Sequence, residues 1–178
     1  MKKALYILGQ LTDEDVDWLF QVGQKRKLVA GEELIIIGKP IQALFVLLDG
    51  SLEVLGPNNR IINRLEWGEV VGEMSFIDSN LPSATVRAST HSVVLAIDKR
   101  LLTERLASDS AFAARFYLAL AMFLSAKMRG SIGSLGYGDV APTSVDVDAD
   151  LLDDNVMDSM YLAGLRFERL TRQVLQQK

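Results

Sequence analysis

The chain changes hydrophobic rhythm twice. Near its start, Thr12 precedes the acidic turn Asp13-Glu14-Asp15 and the apolar positions Val16, Leu19 and Phe20. This predicts a helix with a threonine cap and charges suited to its positive end. From Leu28 the helical spacing gives way to short apolar runs closed by turn residues. Leu34 to Ile37 ends at Gly38-Lys39-Pro40, Leu44 to Leu48 at Asp49-Gly50, Ser51 to Leu55 at Gly56-Pro57-Asn58-Asn59, and Ile61 to Leu65 at Glu66-Trp67-Gly68. Glu69-Val70-Val71, Thr85 to Ala88 and Ser92 to Ile97 complete the set. Asp-Gly between two β-rich runs is a strong hairpin signal, and strands spaced this closely predict a jelly roll or barrel. Helical rhythm returns at Asp98 to Leu102. A long helix capped by Asp109 or Ser110 is then predicted to about Arg129, with Phe112, Phe116, Leu120, Phe123 and Leu124 mostly three or four apart.

Beyond that helix, Arg129 to Gly138 reads as a flexible glycine-rich connector. Asp139 to Met160 holds seven aspartates and neither lysine nor arginine, and its first half reads as an extended or disordered linker. From Asp150 an amphipathic helix is predicted, acidic at its start and carrying Arg166, Arg169, Arg172 and Lys178 towards its end. The expected class is α+β: a β jelly-roll barrel flanked by helices, with a long helix after the barrel and an appended terminal helix. The expected organisation is a barrel domain at 1–130, a flexible acidic linker at 131–149 and a terminal amphipathic helix at 150–178.

Composition narrows the chemistry. A chain of 178 residues with 49% hydrophobic content can bury a real core. Its net charge of −4 argues against broad nucleic-acid binding. Lys25-Arg26-Lys27 is a basic cluster that reads as a solvated face or, alternatively, a partner or nucleic-acid contact. The stretch after Gly130 begins acidic and lacks the spacing of a helix-turn-helix with a basic recognition helix, so no direct DNA binding is expected. There is no cysteine, which excludes disulfides, thiolate catalysis and cysteine-bound zinc. The single histidine, His91, reads as a surface turn residue, and no metal site is expected. No catalytic constellation emerges, so an enzyme is not expected. The apolar start is too short for a signal peptide, and Arg115 and Lys127 bracket too short a run to span a membrane. A cytoplasmic protein is the expectation.

The stretch Gly72 to Ala88 is too polar for a core strand and too short for a full helix. Gly72-Glu73 opens a turn, Leu81-Pro82 closes it, and Ser83-Ala84-Thr85-Val86 begins a strand. Small residues at both ends allow backbone N–H groups to converge, an arrangement that binds anions. A plain bent connection between strands is the alternative.

Gly72-Glu73 followed by a short apolar helix and Ser83-Ala84-Thr85-Val86-Arg87-Ala88, together with the glycine-bearing hairpins upstream, resembles the phosphate-binding cassette of the cyclic-nucleotide-binding domain family. That family includes catabolite activator proteins and regulatory subunits of cyclic-AMP-dependent kinase. The resemblance covers about residues 10–130. It implies that Glu73 accepts a hydrogen bond from a ribose hydroxyl and that Gly72, Met74, Ser75 and Ala84 offer close backbone contacts. Ser83 and Thr85 would add hydroxyl donors. It also implies a homodimer through the helix from about Asp109 to Arg129.

Aligned without gaps from Gly72, the family's cassette arginine falls on Pro82, which has neither charge nor backbone N–H. Arg87, two residues past Thr85 on the same strand face, is the candidate substitute cation. A structural or surface role is the alternative, because the family often carries a basic residue there beside the arginine. The expected function is a non-enzymatic regulatory or sensor module with a degenerate phosphate site, requiring no cofactor and acting through dimer or partner contacts. The terminal helix is expected to dock on its own barrel, on a twin or on another protein, and is the candidate surface for a protein partner. A genuine cyclic AMP or cyclic GMP receptor with a non-standard phosphate grip is the alternative.

Overall fold

The structure, a computed structural model, describes residues 9–134 and 154–176. Helix α1 (Asp13–Val22) leads into strands β1 (Gln24–Leu28), β2 (Glu33–Ile35), β3 (Ala43–Asp49), β4 (Leu52–Leu55), β5 (Ile61–Leu65) and β6 (Val70–Val71). The short helix α2 (Glu73–Ile77) separates these from β7 (Thr85–Ala88) and β8 (Ser92–Asp98). Helices α3 (Lys99–Ser108), α4 (Ser110–Ser134) and α5 (Asp154–Gln176) follow.

The strands form two antiparallel four-stranded sheets, ordered β1-β8-β3-β6 and β2-β7-β4-β5. Pairing is nested: the first strand meets the eighth, the second the seventh, the third the sixth and the fourth the fifth. This is the jelly-roll barrel predicted from the runs. The turn at Asp49-Gly50 is not the hairpin its sequence signals: β3 and β4 lie in different sheets, and Gly50, with φ +84° and a Cβ position 2.4 Å from the His91 carbonyl oxygen, carries the chain from one to the other.

Strand β3 shows why its sequence is apolar throughout rather than alternating. Phe45 and Leu47 face the barrel interior with Leu28, Leu52, Val86 and Val94, whereas Leu44 and Leu48 face the helices. A strand covered on both faces reads as a continuous apolar run. The helical side of the core is built on Phe112, Phe116 and Phe123 of α4, packed against Val16 and Leu19 of α1 and Leu102 of α3.

Helix α1 starts as predicted, and its cap is a full capping box. The Asp15 N–H donates to Thr12 Oγ1, and the Thr12 N–H donates to the Asp15 carboxylate at 3.0 Å. Asp15 does more than cap. It is buried (1% exposed) and takes a bidentate pair from Arg115, 2.7 Å from Nε and 3.0 Å from Nη2. Arg105 approaches the same carboxylate at 3.5 Å while its guanidinium lies over Trp18 and Phe112 at 4.6 and 4.7 Å. Burial opposes ionisation of Asp15, but the hydrogen bonds from Arg115 and Thr12 outweigh it and hold its carboxyl below the ordinary aspartate value. One carboxylate thus ties α1, α3 and α4 together.

Helix α4 runs past Arg129 to Ser134, so the first residues assigned to the connector and linker, 130–134, are helical. Gly130 and Gly133 weaken a helix by about 1 kcal/mol each but do not end one that its preceding turns hold in place. The rest of the predicted linker, and the expected helix start at Asp150, lie outside the described residues.

Helix α5 packs onto the same chain. Phe167 is buried against Phe20 of α1 and Trp67 of the β5–β6 turn, with ring centroids 6.0 and 5.0 Å away. Leu170 and Val174 continue its buried face. Arg166 pairs with Asp13, and Arg169 lies 4.0 Å from Asp17. Lys25 Nζ donates to the Val174 carbonyl at 2.8 Å, close to the end of the helix. Among the described residues no helix is long and apolar enough to cross a membrane.

Candidate functional site

The cassette begins where β6 ends. Gly72 adopts φ +91°, and a Cβ there would lie 3.1 Å from the Ala43 carbonyl oxygen, so the tight approach of β6 to β3 requires glycine. Glu73 opens α2 and is buried (3% exposed), Ser75 is half-buried, and Met74 is exposed. Phe76 anchors α2 against Phe116 of α4, with ring centroids 6.0 Å apart. At the end of α2 the Asp78 carboxylate accepts from the Asn80 N–H and side-chain amide, both at 2.9 Å. These bonds hold its carboxyl below the ordinary value, the backbone N–H of Asn80 contributing most.

The other end of the cassette is fixed by the β2–β3 connection. Gly38 N–H donates to the Pro82 carbonyl at 2.9 Å, and Ile37 N–H donates to Thr85 Oγ1 at 3.1 Å. Ser83 is exposed, Ala84 half-buried and Thr85 buried. Both ends of the cassette therefore rest on one segment, residues 37–43. Gly72 packs against its far end and Pro82 and Thr85 hydrogen-bond its near end.

Arg87 is engaged elsewhere. Val86 and Ala88 point into the barrel core, so strand alternation turns Arg87 to the opposite face of β7. There its Nη2 lies 3.0 Å from Glu53 Oε2, and Arg64 reaches the other Glu53 oxygen at 3.5 Å. By register, Glu33, Arg87, Glu53 and Arg64 form a row of alternating charge across β2, β7, β4 and β5. Sequence reasoning named Arg87 but not Glu53. A carboxylate directly opposite on a paired strand was the missing signal, and it depends on register.

Other candidate groups resolve as follows. Of the basic cluster, Lys25 caps α5 and Arg26 pairs with Glu32 at 2.9 Å, while Lys27 is exposed. His91 is exposed in the β7–β8 turn. Among the described residues no group of histidine and carboxylate side chains could hold a metal ion.

A two-sheet antiparallel jelly roll that breaks its strand sequence with a glycine-led helical cassette and closes on a long helix defines a small-molecule sensor fold. Residues 25–109 match the model of the cyclic nucleotide-binding domain family. A cyclic nucleotide-binding domain from Methylobacillus flagellatus is similar in structure, with TM-score 0.67, 24% identity and coverage of 75% of this chain and 80% of that one. The catabolite activator protein of Thermus thermophilus is similar with TM-score 0.62 and 23% identity, over 73% of this chain and 61% of that one. In sequence, the chain is 25% identical over 157 residues to an uncharacterized NTE family protein of Mycobacterium tuberculosis, spanning 84% of this chain but 27% of that protein. The chain thus spans about a quarter of the length of this relative.

Proposed function

We infer that the chain is a non-enzymatic regulatory module of the cyclic nucleotide-binding fold whose phosphate site is degenerate, and which acts through contacts of its helices. The observation that carries this reading is the charge at the cassette. Pro82 stands where the arginine is expected and its carbonyl is taken by Gly38, while Arg87 is paired with Glu53. A hydrogen bond to a charged group is worth about 1.5–3 kcal/mol, so loss of the arginine weakens a cyclic phosphate about 10- to 100-fold. Gly72, Glu73, Met74, Ser75, Ser83, Ala84 and Thr85 remain as the lining of the site, and Arg87 serves the sheet.

The helices supply the output. Tyr117, Leu118 and Met128 are exposed along α4, as are the small residues Ala114 and Ala121. This face supports a homodimer through the Asp109–Arg129 helix in the cytoplasm. The organisation we assign is a sensor domain followed by a linker and a terminal helix, α5, at whose docking region a protein partner meets the module. A working cyclic AMP or cyclic GMP receptor is the second reading, favoured by the buried Glu73 and the intact glycine entry to α2.

Isothermal titration of cyclic AMP and cyclic GMP into the natural chain separates the two. No saturable heat below millimolar nucleotide is expected. Binding at micromolar concentration would establish the receptor and defeat the degenerate site.

A further inference from the structure

The interface between α5 and the rest of the chain buries an apolar face but is imperfect in chemistry. Thr171 lies in it, 4% exposed, and its hydroxyl has no hydrogen-bond partner among the described residues. Buried hydroxyls are ordinarily satisfied, and an orphan weakens the contact that buries it. Gly164 sits inside the helix, where glycine lowers helix stability. Lys25 holds the end of the helix through the Val174 carbonyl, but the ion pairs, Arg166 with Asp13 and Arg169 with Asp17, are at the rim and open to screening by salt. Docking therefore rests on an apolar stripe of Phe167, Leu170 and Val174, with Phe167 against Phe20 and Trp67 as its aromatic anchor. Trp67 in turn belongs to the turn that enters β6 and the cassette.

We propose that the groove filled by α5 is a docking site for an amphipathic helix of a partner protein, and that α5 is its built-in competitor. This rests on the reading that the module works through helix contacts. The fit defines the partner's chemistry. It carries an aromatic anchor, apolar residues three and seven positions further on, and cations that face Asp13 and Asp17. Because α5 belongs to the same chain its docking is intramolecular, and a partner in solution must outweigh that advantage. A partner helix without the orphan hydroxyl and the internal glycine gains the advantage needed to displace it.

The probe is a fluorescein-labelled peptide of residues 154–176, added to the full chain at low salt and read by anisotropy. Reversing the rim charges on the chain, with Arg166→Glu and Arg169→Glu, loosens its own helix, while the peptide keeps both arginines. The peptide is expected to bind this chain about tenfold more tightly than the natural chain. A peptide carrying Thr171→Val, which keeps the shape and drops the hydroxyl, is expected to bind it about tenfold more tightly again. Equal binding to natural and charge-reversed chains, both folded by circular dichroism, would overturn the competitor. No binding to the reversed chain would overturn the docking site. A short bismaleimide joining Asp17→Cys to Arg169→Cys in this cysteine-free chain is expected to give a monomer-sized product; a dimer-sized one would seat a second copy's helix in the groove and sink the proposal. Nucleotide titration reports on the cassette alone, so failure here and failure of the functional reading are separable.

Discussion

Replacing Asp15 by Asn tests whether one buried carboxylate fastens α1, α3 and α4 to one another. The substitution keeps the side chain's size and removes its charge. Arg115, bound through two nitrogens at 2.7 and 3.0 Å, and Arg105, stacked between Trp18 and Phe112, would then lose their shared anion. Breaking a buried pair costs about 3–5 kcal/mol. Because the Arg115 side chain is 32% exposed and water can replace part of the loss, the expected cost is about 2–3 kcal/mol. For a chain of this size that corresponds to a fall in Tm of about 4–12 °C.

The sign of the pH dependence is also fixed. The folded-state pKa of Asp15 lies below its ordinary value, so its contribution is complete above the unfolded pKa near 4 and is lost as pH falls through the folded pKa. Urea unfolding of natural and variant chains at pH 7, 5 and 3 checks both points. The gap should be full at pH 7 and 5 and should shrink at the acid end. A gap under about 0.5 kcal/mol at pH 7, or one that persists unchanged to the lowest pH at which both chains fold, would refute the role assigned to Asp15.

Two further outcomes bear on the site and the assembly. Leu118→Glu places a charge on the exposed α4 face, and light scattering should show the chain shift from dimer to monomer without loss of helicity; an unchanged dimer would move the interface elsewhere. In a chain already carrying Pro82→Arg, adding Arg87→Gln should leave nucleotide affinity within about twofold, because Arg87 serves Glu53. A tenfold loss by titration would instead put Arg87 in the phosphate contact.

What could be read from the sequence was what local spacing controls. The apolar runs, the Asp49-Gly50 turn and the Thr12 cap each need only a few neighbouring residues, and the barrel follows from their order. The cassette was equally local, from Gly72 to Ala88. What escaped depends on residues distant in the chain. Asp15 meets arginines at 105 and 115, Arg87 meets Glu53 through strand register, and Phe167 meets Phe20 and Trp67 through the docking of α5. The helical run through Gly130 was missed for another reason. Glycine propensity is a small local term, and the turns before it that make the helix cooperative outweigh it.

The most direct measurement is calorimetric titration of cyclic AMP into the natural chain and into the Pro82→Arg variant, side by side. A degenerate site in an otherwise intact pocket predicts a silent natural chain and a variant that binds, with affinity gained by about 10- to 100-fold or more. A natural chain that binds as tightly as the variant would contradict the account by showing that the cassette grips phosphate without its arginine. A variant that stays as silent as the natural chain, both folded, would contradict it by showing that the pocket itself is gone.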